Sequence, residues 1–184
     1  MKITETGIEG LVIIEQKVFK DERGWFQESY NANKFKINGL SYDFVQDNES
    51  LSQKGVVRGL HYQLDPYAQA KLVRVIKGAA YDVAIDLREG SSTFLKQYGI
   101  LLTEENKKQF LVPRGFAHGF VALENDTLFS YKCDNYYNKE SEGGINCLDE
   151  KFNIDWQLDK SELIISEKDA ILPNFEKAKR NFTY

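Results

Sequence analysis

The 184 residues contain only two histidines, His61 and His118, and a neutral imidazole is the side chain best suited to take a proton near physiological pH. His61 lies in Arg58-Gly59-Leu60-His61-Tyr62-Gln63, and His118 ends Pro113-Arg114-Gly115-Phe116-Ala117-His118, a Pro-x-Gly-x-x-His pattern between two β-rich runs. A lysine ammonium such as that of Lys71 can stabilise the oxyanion of an enolate. Arg23 and Arg58 offer planar forks that suit phosphate or carboxylate. Tyrosine can return a proton to a carbanion and can stack on a nucleobase. A base, an oxyanion stabiliser, an acid and anion-binding arginines together suggest proton transfer beside a carbonyl on a phosphorylated substrate.

These groups need a scaffold. At 42% hydrophobic and 28% charged, the chain has enough apolar material for one globular core, and its length suits a single domain spanning residues 1–184. A net charge of −4 advertises no face for nucleic acid. The apolar run Leu11-Val12-Ile13-Ile14 is too short to cross a bilayer, so no membrane association is expected. Cys133 and Cys147 can make no disulfide framework and no C-x-x-C zinc pair, which fits reduced structural thiols in a cytoplasmic protein. Aromatics at 13% favour strands. Alternating or β-rich runs at 11–19, 71–76, 80–86, 98–102, 109–112, 119–123 and 128–132 are separated by Gly, Asn and Asp turns. Helix is expected only at 31–36, as one turn at 104–108, and as a charged segment at 174–180. The pattern describes an all-β, jelly-roll architecture with a few short helices.

The Pro-x-Gly-x-x-His run resembles the second signature of the cupin superfamily, whose members are small jelly-roll barrels. Gly55 followed by five residues reaches His61, as in the first signature, but Gln63 stands where that signature has its second His. Lys71, with six residues between it and Gly78, falls where the ligand Glu belongs. A charged ammonium has no lone pair for a metal, so the expectation is a cupin cavity that uses neither metal nor cofactor.

More specific is the stretch Phe19-Lys20-Asp21-Glu22-Arg23-Gly24-Trp25-Phe26-Gln27-Glu28, which resembles the opening motif of the dTDP-4-dehydrorhamnose 3,5-epimerase family. Gln46-Asp47-Asn48-Glu49-Ser50, the Arg58 and Lys71 segments, Asp82-Val83-Ala84-Ile85-Asp86-Leu87-Arg88, Tyr131-Lys132-Cys133-Asp134-Asn135-Tyr136-Tyr137 and Ser166-Glu167-Lys168-Asp169 are similar to further motifs, in order and in register. The resemblance implies epimerisation at carbons 3 and 5 of dTDP-4-dehydro-6-deoxy-D-glucose to dTDP-4-dehydro-β-L-rhamnose. It makes His61 the base, Asp169 its hydrogen-bonding partner, Lys71 the enolate stabiliser and Tyr131 the acid on the opposite face. His118 and Arg58 would line the sugar pocket and assist with the enolate. Arg23, Glu28, Gln46 and Asn48 would hold the nucleotide, Phe19 and Tyr137 would stack on thymine, and Glu142 and Lys168 match further binding positions. It also implies a homodimer in which the N-terminal segment reaches the neighbouring site.

Two departures from the family pattern stand out. Asn146-Cys147-Leu148-Asp149-Glu150 replaces a Trp-Asn-Asp stretch after Glu142, and Leu95 follows Ser92-Thr93-Phe94 where the family has Gly. Neither touches His61, Lys71, Tyr131 or Asp169. An epimerase acting on one carbon shares the same base, acid and pocket, and deuterium incorporation would separate it from the double epimerase. A non-catalytic sugar-binding cupin would need no such set.

Overall fold

The computed structural model describes residues 1–184. Its strands are β1 (Lys2–Glu5), β2 (Val12–Glu15), β3 (Val18–Asp21), β4 (Gly24–Gln27), β5 (Gln46–Ser52), β6 (Val56–Gln63), β7 (Lys71–Lys77), β8 (Ala79–Asp86), β9 (Gln97–Thr103), β10 (Lys108–Val112), β11 (Phe116–Ala122), β12 (Thr127–Cys133), β13 (Glu142–Gly144) and β14 (Ile164–Ile165). The helices α1 (Ala32–Ile37) and α2 (Glu167–Ala170) are short. One sheet runs β1-β2-β10-β7-β12-β5 and the other β13-β6-β11-β8-β9, with β14 parallel to β6; β3 and β4 form a separate hairpin.

Strand alternation sorts side chains between these layers. Val73, Val75, Phe110, Val112 and Phe129 of the first sheet meet Ala80, Ala84, Ile100, Leu102, Phe116 and Phe120 of the second. Phe120 and Phe129 stack across the sheets with ring centroids 4.0 Å apart. Burying each such side chain is worth about 1.5–3 kcal/mol, and the product is the expected jelly-roll sandwich. The outer face of the first sheet is covered by α1 and its neighbours, through Phe35, Tyr30, Tyr42 and Phe44. Ile145, Cys147, Phe152, Trp156, Phe175 and Phe182 from the C-terminal third cover the second sheet.

Several boundaries differ from expectation. The run 11–19 is two strands, β2 and β3, and the run 119–123 belongs to β11, which begins at Phe116. Residues 104–108 form a turn closed by Thr103 and Asn106 side chains, with β10 starting at Lys108. The segment 174–180 is not a helix. Only Phe175–Lys177 make a 3-10 turn, because Arg180 Nη1 donates to the carbonyls of Phe175 and Ala178 that a longer helix would use. By contrast α1 starts where expected, with the Asn31 side chain accepting from the Lys34 amide. No helix is long and apolar enough to cross a membrane.

Candidate active site

The polar groups gather at the open end of the sandwich. On β7 and β12, Lys71 and Tyr131 occupy the same inward row as Val73, Val75 and Phe129. On β5 that row is Gln46, Asn48 and Ser50, part-buried and alternating with exposed Asp47 and Glu49. β6 presents a harder problem, because Arg58 and His61 are three residues apart and would face opposite ways in a regular strand. Opposite His118 and Phe120 of β11 stand His61 and Arg58, so β6 spends three steps where β11 spends two. That bulge brings both side chains to the cavity while Leu60 and Tyr62 stay in the outer core. It requires Gly59, whose φ is +126° and whose Cβ would lie 2.6 Å from Gly119 Cα.

Two lobes of about 460 and 600 Å³ share His61, Lys71, Tyr131, Gln46, Asn48, Tyr137 and Lys168. Arg58, His118 and Asp169 line the second lobe, and Glu142 the first. His61 and His118 sit on one sheet, Lys71 and Tyr131 on the other, so the two sets face each other across the cavity.

β14, paired in parallel with Val56 and Val57, delivers α2 beside β6. The Ser166 side chain caps α2 by accepting from the Asp169 amide. Asp169 Oδ1 then lies 2.7 Å from His61 Nε2, and Oδ2 accepts from the Gly59 amide at 3.3 Å. Burial alone would raise the Asp169 carboxyl, but His61, the Gly59 amide and Lys168 outweigh it and hold it below the usual range. An ionised carboxylate only accepts, so His61 carries its proton on Nε2 and leaves the Nδ1 lone pair free to act as a base.

Lys71 makes no ion pair or hydrogen bond with the protein. Its side chain is part-exposed to the cavity, and burial of its ammonium lowers its pKa against the pull of Cys133 and Asp82. Its Nζ lies 5.8 Å from the centre of the Tyr131 ring. Burial raises the Tyr131 phenol, with Asn48 and Arg58 acting in the other direction, so the phenol keeps its proton for donation. Lys168 bonds both Glu142 oxygens at 3.0 Å across the cavity mouth.

Three expected nucleotide-binding residues lie elsewhere in the single chain. Phe19 and Arg23 are on the β3–β4 hairpin, where Arg23 pairs with Asp21 at 2.6 Å and Phe19, Trp25 and Phe26 are exposed. Glu28 pairs with Lys34 at 2.7 Å. None of the three lines either lobe.

Gln63, at the cupin ligand position, ties loops together: its Nε2 donates to Tyr67 and Tyr136 carbonyls and its Oε1 accepts from the Asn138 amide. No group of three or more His, Cys, Asp or Glu comes together in a way that could hold a metal ion. The Asn146–Glu150 departure props the chain behind α2, with Asn146 bonded to Pro173 and Ala170 carbonyls, and it lines neither lobe. Leu95 has φ +65°, the left-handed conformation that glycine adopts most freely.

One site group carried no role in the sequence reading. Asp82, wholly buried on β8, lies 2.9 and 3.0 Å from His118 Nε2. A lone carboxylate in the apolar strand Ala79-Ala80-Tyr81-Asp82-Val83-Ala84 was its available signal.

A family profile described as dTDP-4-dehydrorhamnose 3,5-epimerase matches residues 5–177. The chain is 46% identical over 184 residues to a dTDP-4-dehydrorhamnose 3,5-epimerase of Methanothermobacter thermautotrophicus, covering all of this chain and 97% of that one. The crystal structure of such an enzyme from Elizabethkingia anophelis superposes with TM-score 0.91 at 54% identity, covering 96% of this chain and 97% of the other. A dTDP-6-deoxy-D-glucose-3,5-epimerase from Legionella pneumophila, solved with dTDP-4-keto-L-rhamnose, gives TM-score 0.91 at 46% identity over 98% of each chain.

Proposed function

We infer the reaction from one premise: the chain belongs to the dTDP-4-dehydrorhamnose 3,5-epimerase family. It epimerises carbons 3 and 5 of dTDP-4-dehydro-6-deoxy-D-glucose, giving dTDP-4-dehydro-β-L-rhamnose. The observation that carries this is that His61 and Tyr131 line one cavity from opposite sheets, with Lys71 on the same sheet as Tyr131. His61 Nδ1 takes the proton from a carbon beside the 4-keto group, and Asp169 stabilises the imidazolium that forms. Lys71 holds the enolate oxygen. Tyr131 donates from the other wall, which inverts the centre; the His61 imidazolium then gives its proton to solvent and the Tyr131 phenolate takes one from solvent, and the cycle repeats at the second carbon. No step calls for a metal or a redox cofactor.

Gln46, Asn48, Tyr137, Glu142 and Lys168 form the nucleotide side, while Arg58 and His118 line the sugar pocket. Phe19, Arg23 and Glu28 complete it from a second copy in a homodimer, a reading supported by the exposed aromatics of the β3–β4 hairpin. We read residues 1–184 as one domain, and the free buried thiols Cys133 and Cys147 fit a cytoplasmic protein.

Incubation with dTDP-4-dehydro-6-deoxy-D-glucose in deuterated water, followed by NMR, tests the assignment. Deuterium at both flanking carbons with inversion at both is expected. Inversion at only one carbon would make the chain a mono-epimerase, and no exchange at either would refute the reading.

A further inference from the structure

The cavity contains two imidazole–carboxylate pairs in different surroundings. Asp169 has the Gly59 amide as well as His61, and the His61 side chain is 40% exposed. Asp82 is 0% exposed, and His118 Nε2 is its one hydrogen-bond partner, with no backbone N–H on either oxygen. A carboxylate charge so placed would leave most of its acceptor capacity unmet. His118 shares its lobe with Lys71 of β7 and with Arg58 and His61 of β6, while Tyr131 of β12 faces it uncharged. An imidazolium there, almost shielded from water, would add a fourth cation to Lys71, Arg58 and Lys168 in a lobe whose carboxylates are Asp169 and Glu49.

We propose that Asp82 is a positioning residue: it keeps its proton, donates it to Nε2 of His118, and so makes neutral His118 present Nδ1–H to the cavity. Assistance of His118 at the enolate is what the family resemblance implies; the tautomer that Asp82 imposes is what makes this N–H a donor beside Lys71, and it rests on the reaction proposed above. His118 Nδ1 has no partner within the protein and the ring lines the sugar lobe, which places the donor where it is needed. Burial is the largest influence on Asp82 and raises it against the opposing pull of His118 and Lys71. Asp169 is held down instead. Environments that push two like groups apart in this way assign them opposite tasks. One dyad frees an Nδ1 lone pair to remove a proton, and the other supplies an Nδ1–H to receive charge.

With only two histidines, nitrogen-15 NMR of histidine-labelled protein at pH 7 reads both tautomers, assigned with His61→Gln. The expected result is Nδ1–H on His118 and Nε2–H on His61. Substitution supplies the second arm. The amide of Asp82→Asn can still donate to Nε2, so kcat should stay within about tenfold of the parent. Asp82→Leu cannot donate and should lose about 10²–10³ in kcat, with KM moving about threefold or less. His118 protonated on Nε2, or Asn as damaging as Leu, would overturn the proposal. If Asp82→Leu fails to fold, the NMR tautomers and Asp82→Asn decide alone. The tautomers are read without turnover, so an inactive parent enzyme would defeat the reaction reading and leave this measurement standing.

Discussion

Replacing Asp169 by Asn exchanges one carboxylate oxygen for an NH₂ group and poses a problem that the geometry makes quantitative. The carboxylate accepts twice, from His61 Nε2 at 2.7 Å and from the Gly59 amide at 3.3 Å. An amide has one acceptor and one NH₂. If its oxygen serves Gly59, the NH₂ donates to Nε2, the proton moves to Nδ1, and His61 has no base to offer. If its oxygen serves His61, the NH₂ confronts the Gly59 N–H, leaving a buried donor unmet at about 1–3 kcal/mol. The productive tautomer is further disfavoured because the imidazolium formed on proton removal loses a charge-assisted bond, about 1.5–3 kcal/mol. Together these come to about 2.5–6 kcal/mol, roughly 10²–10⁴ in kcat. Turnover would be followed by NMR, dTDP affinity by calorimetry and folding by thermal melting. Affinity and melting should change little, since the Asp169 side chain bonds only His61 and Gly59 and its amide its own helix cap, none of them on the proposed nucleotide side. A kcat within about fivefold of the parent would show that the carboxylate does not set the His61 tautomer, and the reasoning would fail.

Tyr131→Phe keeps the ring and removes the donor, so solvent deuterium should enter substrate with retained configuration while inversion slows by about 10²–10⁴; undiminished inversion would place the acid elsewhere. Lys71→Met should abolish most turnover yet raise stability by about 0.5–2 kcal/mol, seen as a higher Tm, because a largely desolvated ammonium that makes no ion pair or hydrogen bond is replaced by an apolar chain. A Tm that falls would contradict it. Because the Lys71 pKa is lowered and the charged form does the chemistry, kcat should fall on the alkaline side at a pH below the ordinary lysine range. Over the interval between its folded and unfolded pKa the unfolded chain binds more protons, so stability should rise as activity falls; parallel loss of both would refute the assignment. Gly59→Ala should destabilise by more than about 4 kcal/mol or prevent folding, judged by denaturant titration, since its Cβ would meet Gly119 Cα and the His118 carbonyl at 2.6 and 2.8 Å.

The strands legible in the sequence are those whose inward rows are apolar. β7, β8, β10 and β12 announce themselves because Val73, Val75, Ala84, Phe110 and Phe129 alternate with outward residues. β5 escapes detection as a strand because its inward row, Gln46, Asn48 and Ser50, is as polar as its outward one. Its residues are recognisable as a motif instead, for the reason that hides the strand: they line a cavity. The 174–180 segment misleads in the opposite way. Phe175, Ala178 and Phe182 have helix-like spacing and all are buried, but they pack as an irregular cover over the second sheet. Covering a twisted sheet needs apolar residues at intervals, and a helix is only one way to supply them.

The residue types of the candidate site were legible directly, while the pairing of His61 with Asp169 came from the family resemblance and not from spacing. Nothing in the spacing of His61 and Asp169 joins them; β14 does so by lying parallel to β6 and carrying α2 with it. Nor does spacing place Arg58 and His61 on one face, since a three-residue interval argues against it. The bulge reverses that argument, and the bulge depends on a glycine with no chemistry of its own. Gly59 also donates its amide to Asp169. One residue without a side chain therefore turns His61 toward the cavity, makes room for β11 and helps to hold the carboxylate bonded to His61 Nε2.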